Sequence, residues 1–258
     1  MTEQIPAGRR QAIVIGGSDG IGLAVTRRLL AQGWRVAGLS RSASPVEHRD
    51  YRHDQIDVTS IEYPQVLERV VEHLGRIDLC VYSVGTGQTT GVADLPGQTH
   101  TMQVNLIGAG RTVEVVLPRM IKAGGGHLIG LSSLGDVLFD GDAFGYLASK
   151  AGLSTYLYGL ALAVRRFGID VTNVRFGLVD TKMGQSPVRP MLISADQAAA
   201  VVVGCVRRRS PRIVSYPRRM AVLVRLLRLG QVVRLRLPDP RGQRRAARAR
   251  SAPATPTD

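Results

Sequence analysis

The feature that most constrains this chain is an alternation. Apolar runs of strand length are followed, again and again, by longer stretches of helical period. A strand that returns through a helix must lie parallel to the one before it, and the crossover helices then cover both faces of the sheet. The reading is an α/β fold: a Rossmann-like, doubly wound parallel sheet in three layers, α/β/α, making a single domain. The predicted strands are Arg10–Ile15, Trp34–Leu39, Asp54–Asp57, Ile77–Ser83, His127–Ser132, Ile169–Phe176 and Arg212–Tyr216. Helical spacing predicts helices over Gly20–Gln32, Ile61–Leu74, Gln98–Ile121, Gly145–Phe167 and Ala195–Arg207.

Composition enters where it locates charge. The 258 residues carry a net charge of +14, yet residues 1–206 hold 19 Lys+Arg against 18 Asp+Glu. Residues 207–258 hold 15 arginines against Asp239 and Asp258. Basicity therefore belongs to the C-terminal segment, and no nucleic-acid partner is expected for the body of the protein. The only lysines are Lys122, Lys150 and Lys182, so a lysine at a particular place is informative. Cys80 and Cys205 sit in apolar surroundings and can build neither a disulfide framework nor a zinc site. No metal is expected, and a reducing, cytoplasmic setting is. A polar N-terminus and the lack of any run of about 18 apolar residues predict a soluble protein.

Three clusters carry chemistry. Gly16-Gly17-Ser18-Asp19-Gly20-Ile21-Gly22 lies between the first strand and the first helix. A glycine turn there lets backbone approach a pyrophosphate, with the N–H groups of the helix end facing the anion. Tyr146 and Lys150, four apart on one helix, share a face, where a cation can favour the phenolate of a group whose ordinary pKa is about 10. Ser133 ends the fifth strand, thirteen residues before Tyr146. All three converge at the carboxyl edge of a parallel sheet, where such folds bind ligands.

With these residues in this order the chain resembles the short-chain dehydrogenase/reductase superfamily, over roughly Gln11 to Tyr216. Gly16, Gly20 and Gly22 match its cofactor glycines, Asp57 and Val58 its adenine-contacting pair, and Asn105, Ser133, Tyr146 and Lys150 its catalytic residues. The resemblance implies that Tyr146 is the general acid/base. Lys150 would poise it and bind the nicotinamide ribose, Ser133 would hold the substrate oxygen, and Asn105 would seat a proton-relaying water. Thr181 matches the position that touches the nicotinamide carboxamide, and Gly85 closes the segment after the fourth strand. Three departures stand out: Ile15 for a threonine, Tyr82-Ser83-Val84-Gly85 for Asn-Asn-Ala-Gly, and Phe176-Gly177 for Pro-Gly. The first two face each other in the family, so their joint change is expected as one compensated repacking.

Cofactor choice turns on Leu39-Ser40-Arg41-Ser42. Ser40 stands where an NAD-dependent relative carries aspartate, and the Arg41 guanidinium suits a 2′-phosphate, so NADP(H) is favoured over NAD(H). Asp19 argues the other way, since several NADP-dependent relatives have a basic residue there. The loops 134–144 and 181–193 would line the substrate pocket, with Leu134 and Met183 as substrate contacts beside Ser133 and Tyr146. Their apolar members imply a hydrophobic or mixed carbonyl/alcohol substrate, while Asp136, Asp140 and Asp142 are expected in solvent. The helix from Tyr146 is apolar nearly all round, which predicts burial against a second subunit in a homodimer or homotetramer.

Residues 1–240 are read as one catalytic domain that includes a basic helix at about 218–237, and residues 241–258 as a disordered tail. That helix is expected to put Arg218, Arg225 and Arg228 on one side and Met220, Leu223, Val224 and Leu227 opposite. It would cover the substrate cleft or the subunit interface; peripheral contact with an anionic membrane is the less favoured alternative. The whole is read as an NADP(H)-dependent oxidoreductase interconverting a ketone or aldehyde with an alcohol. The alternatives are a catalytically idle NADP-binding regulatory module and a membrane or nucleic-acid adaptor acting through the arginine-rich C-terminus.

Overall fold

A computed structural model describes residues 9–87, 89–183, 191–208 and 213–236. The central sheet has seven parallel strands in the order β3-β2-β1-β4-β5-β6-β9. These are β1 (Gln11–Ile15), β2 (Arg35–Ser40), β3 (Tyr51–Gln55), β4 (Leu79–Tyr82), β5 (Gly126–Ser133), β6 (Ile169–Phe176) and β9 (Ile213–Tyr216). Val179–Asp180 (β7) and Ile193–Ser194 (β8) pair as a separate small sheet that the sequence did not announce. The helices are α1 (Gly20–Ala31), α2 (Tyr63–Leu74), α3 (Leu95–Met102), α4 (Gly108–Lys122), α5 (Phe144–Ala163), α6 (Ala195–Arg208) and α7 (Arg218–Arg236).

Two apolar layers hold the sheet. On one face Leu67, Val71, Val116, Leu153 and Leu157 pack on Ile13, Ile15 and Leu128. On the other Val25, Leu29, Ala198 and Val202 pack on Val14, Val81 and Ile129. β1 and β4 are buried on both faces, which is why they read as unbroken apolar runs.

Two expectations shift. The third strand starts at Tyr51, not Asp54, because YRHDQ is a half-exposed edge strand without an apolar run to mark it. The expected helix over Gln98–Ile121 is instead α3, a π-helical turn at Gln103–Ile107, and α4. Asn105 sits inside that turn, where π geometry re-aims a side chain. The expected tail at 241–258 lies outside the described residues, as does most of 181–193. Among the described residues no helix is long and apolar enough to cross a membrane.

Candidate active site

The strand order reverses beside β1, where β2 and β4 diverge, and two cavities open at the carboxyl edge there. The first, of about 330 Å³, is lined by Gly16, Ser18, Asp19, Gly20, Ile21, Gly22, Ser40, Arg41, Asp57, Val58 and Gly85 among others. The second, of about 500 Å³, is lined by Ser133, Leu138, Phe139, Tyr146, Leu147, Lys150 and Gln231 among others. Ile21, Ser83, Gly85, Thr181 and Met183 line both, so the two spaces meet.

The glycine turn is tight for a physical reason. A Cβ on Gly22 would fall 2.0 Å from the Gly16 carbonyl oxygen, and Gly16 holds φ at +90° with Ser83 Oγ 2.8 Å from where a Cβ would sit. Asp19 caps α1 by accepting from the Gly20 N–H at 2.7 Å. Its carboxylate also pairs with Lys182 Nζ at 2.8 Å, and these two donors hold its pKa below the usual range. Ser83 Oγ donates to the main-chain carbonyl of Ile15 at 2.7 Å and ties the end of β4 to β1, a bond that does not depend on the side chain at position 15.

At the far end of the first cavity, Ser40 is buried and its hydroxyl donates to the Ser42 carbonyl at 2.9 Å, beside His53 Nε2 at 3.1 Å. Arg41 is exposed on the rim. Asp57 Oδ1 accepts from Thr59 N–H at 2.8 Å and Thr59 Oγ at 2.7 Å. Burial pushes that carboxyl up, but the Thr59 bonds and the charges of Arg41 and His100 outweigh it, so its pKa lies below the usual value. Lys182 and His100 also line this cavity. Sequence reasoning missed both; Lys182 is one of only three lysines, a signal that pointed to it.

Around the second cavity, Ser133 ends β5 and its Oγ accepts from the Gly135 N–H at 3.0 Å. Tyr146 projects from the first turns of α5, with Gly87 so close that a Cβ there would lie 2.8 Å from its ring. Lys150 is buried and its Nζ donates to the Leu131 carbonyl at 2.9 Å. That nitrogen stands 6.0 Å from the Tyr146 ring centroid. Burial drives the Tyr146 pKa up, against a hydrogen bond from Ser133, and drives Lys150 down to about 8. The expected lowering of the phenol by the ammonium is therefore not the dominant effect; desolvation is. Asn105 is fully buried, with Nδ2 donating to the Thr86 carbonyl at 2.8 Å and to Ser149 Oγ at 2.9 Å, and Oδ1 accepting from Thr86 N at 2.8 Å. Its amide thus fixes the segment after β4.

Three expectations are corrected. Leu134 does not reach the cavity: it is 2% exposed and packs with Met220 and Val224 of α7. Asp136 is not in solvent but buried, paired with Arg175 of β6 and accepting from Ser154 Oγ at 2.6 Å. Ser154 continues to Ser132 Oγ at 2.9 Å, whose hydroxyl donates to the Lys150 carbonyl at 3.1 Å, so a buried polar chain backs the wall that carries Ser133 and Lys150. Nothing in the spacing of Asp136 and Arg175 reveals that pairing. Arg228 lies on the same side of α7 as Met220 and Val224, not opposite: its guanidinium stacks 3.5 Å from the Phe139 ring. Gln231, one turn on, accepts from Phe139 N at 2.9 Å and donates to Phe139 O at 2.6 Å. Asp140, by contrast, is exposed as expected and accepts from Asp142 N and Ala143 N.

A glycine-turned cleft at the switch point of a doubly wound sheet, joined to a cavity carrying a tyrosine and a lysine, defines a nucleotide-dependent α/β enzyme. The family model for short chain dehydrogenases matches residues 10–191, and the chain belongs to that family, the NAD(P)-dependent dehydrogenases/reductases. It is 30% identical over 246 residues to an uncharacterized oxidoreductase of Myxococcus xanthus, covering 90% of this chain and 94% of that protein. It is 29% identical over 232 residues to a fatty acyl-CoA reductase of Acinetobacter baylyi, covering 81% of this chain and 77% of that one. A solved short chain dehydrogenase from Burkholderia cenocepacia in complex with NADP superposes with a TM-score of 0.78 at 22% identity, over 89% of this chain and 98% of that one.

Proposed function

We propose that the protein is an NADP(H)-dependent oxidoreductase that interconverts a ketone or aldehyde with an alcohol on a hydrophobic small molecule, with Tyr146 as general acid/base. The observation that carries the reading is the junction of the two cavities. Thr181 and Met183 wall both, and Ser133, Tyr146 and Lys150 stand on the side of the larger one. The glycines leave room for backbone to approach a pyrophosphate, and the first N–H groups of α1, which have no acceptor inside the helix, suit its charge. The nicotinamide, when bound, supplies or accepts the hydride. Tyr146, a phenol whose pKa burial raises further above its ordinary value, is fit to give its proton to a carbonyl oxygen that Ser133 holds. Lys150 presents an ammonium through neutral pH toward the cofactor ribose. Asn105 positions the Thr86 backbone in the wall of the first cavity.

For the adenosine 2′-phosphate, Arg41 is the proposed partner, its guanidinium standing on the rim of the first cavity. Asp19 does not weigh against this, because Lys182 already pairs with it. The solved relative named as an NADP complex supports the same choice. We propose a cytoplasmic homodimer or homotetramer, since α5 leaves Thr155, Gly159 and Leu162 outward for a second copy. The test is NADPH and NADH oxidation by purified protein across a panel of ketones, aldehydes and long-chain acyl thioesters, the last prompted by the relative named a fatty acyl-CoA reductase. Turnover of an apolar ketone or aldehyde with NADPH is expected. Tight NADPH binding without turnover of any compound would identify an idle regulatory module instead.

A further inference from the structure

The inner face of α7 is spoken for. Met220 and Val224 are buried against Leu134, while Arg228 and Gln231 engage Phe139. The opposite face is not. Val222, Leu226, Leu229 and Val233 are 59%, 61%, 65% and 59% exposed. Their spacing of four, three and four sets them in one stripe along the helix. Arg218 and Arg225 lie along one side of the stripe and Arg219 along the other, all exposed. The helix holds six arginines and no carboxylate. Aliphatic side chains standing in water between guanidinium groups are costly unless something apolar and negatively charged covers them.

We infer that this outer face of α7 lies on an anionic lipid bilayer. The aliphatic stripe would enter the acyl boundary, while the arginines, on long apolar stems, would reach back to phosphate headgroups. Charge selects this occupant over the others. In a two-fold contact between copies the same arginines would face each other with no carboxylate on either helix to pair them. A nucleic acid offers phosphates but no apolar layer for four aliphatic residues, and the helix carries no aromatic ring to stack on a base. Because no helix among the described residues can span a bilayer, the contact is peripheral. The sequence beyond the helix adds five arginines between Arg241 and Arg250, in keeping with a surface that attracts anions. The helix thus has two uses on opposite faces: the inner closes the larger cavity, and the outer brings that cavity to the lipid surface.

The test is flotation of the full-length protein with vesicles of phosphatidylcholine alone or with one-third phosphatidylglycerol, at low salt and at ~0.15 M. Binding to the phosphatidylglycerol vesicles at both salts, with little to phosphatidylcholine alone, is expected. The double variant Leu226→Glu/Leu229→Glu should bind at least about tenfold more weakly with its melting temperature and NADPH affinity unchanged. No binding at low salt overturns the inference. So does binding that the double variant leaves intact, which would assign it to arginine charge alone. A double variant that is monomeric where the parent is oligomeric, with no vesicle binding by either, also overturns it and makes a second copy the cover. Should the double variant fail to fold, Leu226→Trp reads the same point by a blue shift of its emission on phosphatidylglycerol vesicles. An emission that does not move on those vesicles overturns the inference as well.

Discussion

The smaller cavity takes its walls from the ends of β1, β2 and β4 and the turns just after them, joined by Ile56–Val58, His100, Val104 and Thr181–Met183, whereas the larger one is closed by Phe139 and Gln231, which stand 92 residues apart. At the glycine turn, on the side proposed for the cofactor, the surface is largely main chain: glycines at positive φ, helix-end N–H groups and a capping aspartate. Around the larger cavity, proposed for the substrate, it is side chains held by other side chains, down to the buried Asp136–Arg175 pair behind Ser133 and Lys150. Main-chain architecture tolerates change at the surface and fails only where a Cβ intrudes. A wall built from coupled side chains fails when any one member loses its partner.

The comparison can be broken or sharpened in four ways. Tyr146→Phe removes the proposed proton donor and keeps the ring, so turnover should fall about 10²–10⁴-fold. NADPH affinity, measured by fluorescence titration, should hold, and retained turnover would refute the proposed chemistry. Asp136→Asn leaves Arg175 buried without its counter-charge and should cost roughly 3–5 kcal/mol of stability in denaturant unfolding. If the substrate wall is as coupled as argued, turnover at permissive temperature falls while the cofactor still binds; an unchanged unfolding midpoint would dissolve the contrast between the two halves.

Arg41→Asp exchanges a guanidinium for a carboxylate at the rim of the first cavity. The ratio of NADPH to NADH efficiency should drop roughly ten- to a hundredfold, the worth of one hydrogen bond to a charged group. A ratio that stays put removes Arg41 from the cofactor site. The smallest effect concerns Lys150. Its pKa is about 8 in the folded protein against an ordinary 10.5, so between those values the unfolded chain binds more protons and stability rises with pH. Below pH 8 the full cost of burying the ammonium is present. Lys150→Met lacks that cost, so its melting-temperature advantage over the parent should shrink between pH 7.5 and 10. An advantage independent of pH would mean that Lys150 is not desolvated.

Much of the cofactor side was legible from one sequence because its signals are local. Strand, glycine turn and helix follow one another within Gln11–Ala31, and Gly16 and Gly22 answer to a backbone approach within that segment or to Ser83, while Gly20, at φ +50°, faces Thr181. Tyr146 and Lys150 were legible because four residues of helix bring them to one face. β3 was misplaced because an edge strand need not be apolar. Asp136 was misjudged because its environment is set by Arg175, on the next strand of the sheet.

The sequence by itself determined the alternation of strands and helices, hence a parallel sheet with its turns at one edge, since periodicity is a property of neighbouring residues. It also determined that the glycine turn, Ser133, Tyr146 and Lys150 gather at that edge, because every strand delivers its C-terminal end there. Only the tertiary structure decided that Leu134 supports the wall from behind, that Arg228 stacks on Phe139, and that Gln231 closes the cavity. Those are contacts between segments far apart in the chain, whose partners are chosen by packing rather than by pattern. The same holds for α7, where sequence spacing allowed several faces to be the inner one. The docking of Met220 and Val224 fixed which face is buried and thereby which stripe, Val222 to Val233, is left to meet something else.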